Sequence, residues 1–142
     1  EHPRVNLRIQ DALEFCSTTQ HRYDVIFADI TDPHPNSPSK SLLGEAAIAL
    51  YKSLLKPGGI LIAQTDNVQI APEHAQNIEQ VFSEQFQYVG KYGIVALTLS
   101  SLFSFVWASD GVSALSESAP RVPTNWLNER RIRFCQEILE LA

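Results

Sequence analysis

The chain has 142 residues, 44% of them hydrophobic and 19% charged, with six Gly, eight Pro, two Cys and no Met. That balance fits one globular domain, too apolar for a disordered chain, and no apolar run approaches the roughly 20 residues that span a bilayer. Sixteen Asp and Glu against eleven Lys and Arg leave a net charge of -5, which disfavours nonspecific nucleic-acid binding and suits a cationic ligand. Neither a membrane nor a nucleic acid is therefore an expected partner.

Glu1-His2-Pro3-Arg4-Val5 carries no start methionine, basic segment or apolar stretch of a signal peptide, and reads as an interior cut. Val5 to Ile9 alternates as a first strand, and Ala12 to Ser17 is a short helical pattern. Tyr23 to Ile30 is nearly continuously apolar, and Val25-Ile26-Phe27-Ala28 within it reads as a central strand buried on both faces. Leu42, Leu43, Ala46, Ala47, Leu50, Leu54 and Leu55 recur at helical spacing and predict a long helix over Ser41 to Leu55, ended abruptly by Lys56-Pro57-Gly58-Gly59. Ile60 to Gln64 is a third strand, and Pro72 to Phe86 a helix opened by Pro72-Glu73 and buried through Ile78, Val81, Phe82 and Phe86. Val89 to Leu97 and Phe103 to Ala108 are the last strands, separated by too few residues for a helical crossover. They must form an antiparallel hairpin at a sheet edge. Gly111 to Pro123 is a Ser/Pro-rich loop, and Thr124 or Asn125 starts a final amphipathic helix, Trp126 to Leu141.

Strand and helix in alternation imply an α/β fold with a mostly parallel sheet. In such a sheet ligands bind beyond the carboxyl ends of the strands. Three of those ends are acidic: Gln10-Asp11-Ala12, Asp29-Ile30-Thr31-Asp32-Pro33 and Gln64-Thr65-Asp66-Asn67. Asp11 alone could simply cap the next helix, whereas Asp11, Asp29, Asp32 and Asp66 together make an acidic rim. Asp29 and Asp32 lie in a segment stiffened by Pro33, Pro35 and Pro38, which reads as a pocket wall. Two neighbouring carboxylates can hold a cation, and one that is partly desolvated can act as a general base.

These residues resemble the polyamine aminopropyltransferases, the family of the spermidine and spermine synthases. His2-Pro3-Arg4-Val5 followed by Asp11-Ala12 and Phe15, then Tyr23-Asp24-Val25-Ile26-Phe27-Ala28-Asp29-Ile30-Thr31-Asp32-Pro33, then Leu55-Lys56-Pro57-Gly58-Gly59-Ile60-Leu61 and Ala63-Gln64 are similar to its segments in order. Lys-Pro-Gly-Gly is shared with many methyltransferases; Asp-x-x-Asp-Pro after a buried strand is the more specific element. The resemblance implies a Rossmann-like, methyltransferase-type fold. It also implies transfer of an aminopropyl group from decarboxylated S-adenosylmethionine, a co-substrate rather than a resident cofactor, to a polyamine, releasing methylthioadenosine. Asp29 would be the general base and Asp32 would hold an ammonium end. Asp11 would accept from the adenine amino group, with Ala12 and Pro38 beside the ring. Gln64 and Asp66 would face the polyamine channel. The expected assembly is a homodimer.

The chain also departs from the family pattern. Ser37-Pro38-Ser39 stands for the family's Gly-Pro-Ala, and Leu97-Thr98-Leu99-Ser100-Ser101 stands for a Thr-Tyr-Pro-Ser-Gly segment whose Tyr positions the acceptor. No G-x-G turn is present, so by the resemblance the first strands of the fold are expected to be missing. Residues 1–110 are expected to be the C-terminal part of the catalytic domain and 111–142 a loop and helix of the same domain. A fragment of a longer enzyme is the expectation. A methyltransferase and a non-catalytic paralogue are the alternatives.

Cys16 and Cys135 lack metal or Cys-x-x-Cys spacing, so they read as small buried hydrophobes in a reducing cytoplasm, and no metal site is expected. His21, His34 and His74 read as surface residues. Phe103, Phe105 and Trp107 alternate with Ser104 and Val106 and read as core or dimer packing. Arg130, Arg131 and Arg133 with Glu129, Glu137 and Glu140 read as a solvated helical face.

Overall fold

The computed structural model describes residues 2–30, 38–67, 69–96, 101–113, 124 and 127–140, with the side chains of residues 38, 66 and 140 left aside. In chain order these form α1 (Ala12–Thr18), β1 (Tyr23–Ala28), a 3-10 helix (Pro38–Leu43), α2 (Glu45–Ser53) and β2 (Leu55–Asn67). Then follow α3 (Pro72–Gln85), β3 (Tyr88–Ala96), β4 (Ser101–Ser109) and α4 (Glu129–Glu137), which runs into a 3-10 turn, Ile138–Glu140. The strands make one sheet in the order β1-β2-β4-β3. β1 and β2 are parallel, and β2–β4 and β4–β3 are antiparallel. The expected hairpin of the last two strands is present, with β3 on the sheet edge and β4 inserted beside β2.

The sheet is thus mixed, with one parallel pair among the described strands. A mostly parallel sheet requires Val5 to Ile9 as a strand, and the structure has no strand there. Val5, Leu7 and Ile9 are exposed, and among the described residues no ladder on that side of β1 takes up their backbone donors and acceptors. For the same reason β1 is an edge rather than a central strand. Ile26 and Ala28 face the core, while Val25 is 42% and Phe27 69% exposed on the opposite face.

The turn Lys56-Pro57-Gly58-Gly59 sets the parallel register. Tyr23 pairs with Leu55 and Val25 with Ile60, so this segment bulges out of the ladder between two consecutive pairings. Gly58 takes φ 74 there, a backbone conformation that only Gly adopts without strain. Gly59 has no room for a side chain. A Cβ would lie 3.0 Å from the carbonyl oxygen of Lys56 and 3.1 Å from that of Tyr23. The Ser109 hydroxyl donates to the Gly59 carbonyl at 2.9 Å, fastening the end of β4 to this turn.

One face of the sheet carries the core, in which Leu61, Ala63, Val106 and Ala108 meet Ala47, Ile48 and Tyr51 of α2 and Ile78 and Phe82 of α3. The long helix expected over Ser41 to Leu55 is divided. Gly44 is extended at φ -76, ψ 166 and caps α2, so the stretch before it closes as a 3-10 turn that still buries Leu43. Lys52 binds the elements at one end. Its ammonium pairs with Asp110 at 2.7 Å, donates to the Gln85 carbonyl and stands 4.7 Å from the Phe86 ring centre. The final helix starts later than expected, at Glu129, because Asn128 caps it by accepting the Arg131 N–H at 3.0 Å. The turn after α4 seats on β3, where a Cβ at Gly93 would come within 2.6 Å of Ile138. Most of the Gly111 to Pro123 loop lies outside the described residues. Among the described residues no helix is long and apolar enough to cross a membrane.

On the opposite face Trp107 lies across Gly90, its register partner, and a Cβ there would meet the indole at 2.7 Å. Gly90→Ala is expected to cost about 1–3 kcal/mol, as overpacking does, and to perturb the tryptophan emission. Thermal unfolding followed by fluorescence checks this, and an unchanged midpoint would place Trp107 elsewhere.

Candidate functional site

The carboxyl ends of β1 and β2 lie side by side because Ala28 pairs with Ala63 in parallel register. Continuing that register by one residue sets Asp29 beside Gln64, and alternation turns both to the face that carries Phe27 and Ile62. Asp29 is exposed and Gln64 half-buried. Gln64 is opposite Phe105 of β4, and Phe105 is opposite Tyr92 of β3. One row therefore crosses the sheet from an acid through an amide to two aromatic rings. The rings are stacked, with centroids 5.1 Å apart and planes 7° from parallel.

Immediately after Gln64 the ladder is interrupted. Gln64 pairs with Phe105 but Asp66 with Ser104, so Thr65 is an extra residue in β2. A bulge of this kind re-aims the side chains that follow it. Thr65 is buried, its hydroxyl against that of Ser104 and hydrogen-bonded to the Ser104 carbonyl at 3.2 Å. Asp66 is placed by its backbone opposite Ser104, and its side chain lies outside the described residues, as do Asp32 and the Pro38 ring. Pro38 opens the 3-10 helix.

Asp11 is the N-cap of α1, its Oδ1 accepting the Glu14 N–H at 2.9 Å. The capping role weighed for it is real, and it leaves the second carboxylate oxygen for another partner. Ala12 is exposed at the start of the helix and lines a concavity of ≈ 770 Å³ beside the free edge of β1, together with Leu7, Arg8, Phe15 and Val25. Asp11 also reaches Tyr51 of α2 electrostatically. Burial, with smaller contributions from Cys16 and Asp11, pushes the Tyr51 hydroxyl up to about 12.

Among the described residues the ion pairs join Lys52 to Asp110, Lys56 to Asp24 and Lys91 to Glu79. None of them neutralises Asp29 or Asp11, whereas the acid at the other end of β1, Asp24, is held 2.8 Å from Lys56. Among the described residues, Asp11 and Asp29 are thus acids at the carboxyl-end side with no ion pair. Among the described residues no three His, Cys, Asp or Glu side chains are grouped to hold a metal ion. Cys16 and Cys135 are half-buried free thiols, both pushed up by burial. His21 is exposed, His74 is half-buried in α3, and His34 lies outside the described residues.

The stacking of Phe105 on Tyr92 accords with the packing role expected for Phe103, Phe105 and Trp107. The alternation of Phe103, Phe105 and Trp107 signalled a shared face. That Tyr92 joins Phe105, and that both align with Gln64, depends on inter-strand register.

The profile of the spermine/spermidine synthase domain matches residues 1–116. A polyamine aminopropyltransferase of Prochlorococcus marinus is 35% identical over 108 residues, covering 75% of this chain and 37% of the relative. One from Escherichia coli is 34% identical over 111 residues, covering 78% and 38%. Among solved structures, a spermidine synthase in complex with the transition state analogue AdoDATO superposes with a TM-score of 0.82 over 94% of this chain and 48% of that one, at 21% identity. Spermidine synthase from Thermotoga maritima gives 0.76 at 20% identity, over 94% and 47%. These two share the Rossmann-like fold. The chain spans well under half the length of the curated relatives it matches.

The Tyr51 environment carries a pH dependence. Its folded pKa lies above the ordinary value near 10, so the neutral hydroxyl is favoured by folding. The associated stability is complete below about pH 10 and is lost as pH rises toward 12, amounting to about 2–3 kcal/mol. Tyr51→Phe should lose less stability than the unmodified protein between about pH 8 and about pH 11 in urea titrations. Equal losses would remove Tyr51 as the source.

Proposed function

The chain belongs to the spermine/spermidine synthase domain family, and from that premise we propose that it forms the amine-handling part of an aminopropyltransferase. The proposed reaction transfers the aminopropyl group of decarboxylated S-adenosylmethionine to a polyamine and releases methylthioadenosine. The observation that supports this reading is the parallel register Ala28↔Ala63, which brings the carboxyl ends of β1 and β2 together, with Asp29 one residue beyond the first and Gln64 in the second.

An amine with a pKa near 10.4 is protonated at neutral pH and has no lone pair to donate. It must lose a proton and be aligned with the carbon next to the sulfonium. The nitrogen lone pair then forms the new N–C bond while the C–S bond breaks, and its electron pair returns to sulfur to give a neutral thioether. In this reading Asp29 accepts the proton and Gln64 holds the acceptor. Asp32 and Asp66 bind ammonium groups, and Asp11, Ala12 and Pro38 take the adenine end of the donor. A homodimer and a cytoplasmic location belong to the same reading. Support comes from the exposure of Asp29, which leaves its carboxylate open to a ligand, and from the open oxygen of Asp11.

The test is methylthioadenosine release from decarboxylated S-adenosylmethionine with a panel of diamines and triamines. Asp29→Asn is expected to lower kcat by about 100-fold or more, the usual worth of a general base. No release with any amine, or full activity in Asp29→Asn, would overturn the reading.

A further inference from the structure

The backbone of Asp66 is fixed from both sides. Asp66 stands opposite Ser104 in the ladder just after the Thr65 bulge, and each of its two neighbours is tied to β4 by its own side chain. Thr65, 3% exposed, lays its hydroxyl against that of Ser104 and donates to the Ser104 carbonyl at 3.2 Å. Asn67, 7% exposed, donates its amide N–H to the Ser101 hydroxyl at 3.0 Å. The oxygen of the same amide accepts the Gln69 N–H at 2.9 Å, and the Asn67 main-chain carbonyl accepts the N–H groups of Ile70 and Ala71. Asn67 therefore joins the end of β2, the first residue of β4 and the turn into α3. A bulge leaves one residue out of the ladder, so the chain around it loses the pairing that sets its direction. Here buried side-chain hydrogen bonds replace that pairing, and losing one partner of such a bond leaves the other unsatisfied away from water.

We propose that Thr65 and Asn67 are positioning residues of the acceptor site, a clamp that holds the backbone of Asp66 for an amine ligand. This rests on the aminopropyl-transfer reading, in which Asp66 binds an ammonium group, and adds to it what keeps that acid in place. A carboxylate holds an ammonium through charge-assisted hydrogen bonds of about 2.7–2.9 Å. A backbone displacement of about 1 Å at the bulge takes the pair out of that range. The family segment matched by Leu97 to Ser101 ends in Gly, which has no hydroxyl, so the Asn67 arm depends on the serine that this chain carries there.

Ser101→Ala tests the clamp, because it removes one arm and leaves the turn made by Asn67 intact. Calorimetry measures affinity for 1,4-diaminobutane and, as the control, for methylthioadenosine. The alanine variant should bind the diamine roughly tenfold more weakly and methylthioadenosine unchanged, with the acceptor KM raised by a similar factor and kcat little altered. Ser101→Thr keeps a hydroxyl at a strand position and should restore the affinity. A bond that is only structural lowers thermal stability and nothing else, so a lower midpoint with unchanged diamine affinity overturns the proposal. Should Ser101→Ala fail to fold, NMR of the unmodified protein decides. The Asn67 side-chain amide protons must exchange slowly and shift when diamine saturates the protein; fast exchange or no shift overturns the clamp. The two readings fail separately. If Asp29→Asn abolishes transfer while Ser101→Ala keeps full diamine affinity, only the clamp is wrong. If Asp29→Asn keeps full activity while Ser101→Ala loses diamine affinity, the transfer mechanism falls and the clamp stands. No binding of the diamine to the unmodified protein overturns both.

Discussion

The parallel pairing of β1 with β2 is the constraint on which the other features depend. It is set by the Lys56-Pro57-Gly58-Gly59 excursion, which removes four residues from the ladder between the Tyr23 and Val25 pairings. A slip of one residue would reverse every side chain on the strand. Ala28 and Ala63 would leave the core. Gly58 and Gly59 are required there because one has a positive φ and the other is pressed against two carbonyl oxygens. The end of β4 is fastened to the same turn through Ser109, so the antiparallel hairpin inherits the register of the parallel pair.

The two faces of the sheet are built for different purposes. One is closed by α2 and α3 over small and branched residues, with Leu61, Ile48 and Phe82 fully buried. The other carries Val25, Phe27, Ile62, Gln64, Phe105, Tyr92 and Trp107, large side chains of which Phe27 is more than two-thirds exposed. A parallel sheet is normally covered on both faces. The exposed apolar side chains of β1 lie beside the concavity along its edge.

Much of this was legible in advance. The helix over Pro72 to Gln85, the strand after it and the hairpin followed from periodicity and from the short connection between Ala96 and Ser101. The acidic strand ends, and Asp29 among them, could be found because a buried run followed directly by acids and prolines has few structural uses. Other features could not be read this way. Val5 to Ile9 has the alternation of a strand but no neighbour to pair with, and alternation is silent about neighbours. Val25 and Phe27 read as buried because a continuous apolar run is the mark of a central strand, yet their burial depends on chain packed beside and above them. The Gly44 break was hidden in a helical repeat that a 3-10 turn satisfies almost as well.

The sequence by itself determined the class of fold, the family and the acidic strand ends, since each is carried by local pattern: a period, a turn that needs glycine, a carboxylate at a strand end. Only the tertiary structure decided which of those groups stand together. Ala28 with Ala63, Gln64 with Phe105 and Phe105 with Tyr92 are pairings of register, made between strands distant in sequence. Register is a property of hydrogen-bonded pairs of strands, set by the Lys56 to Gly59 excursion and by the Thr65 bulge, and no single segment contains it.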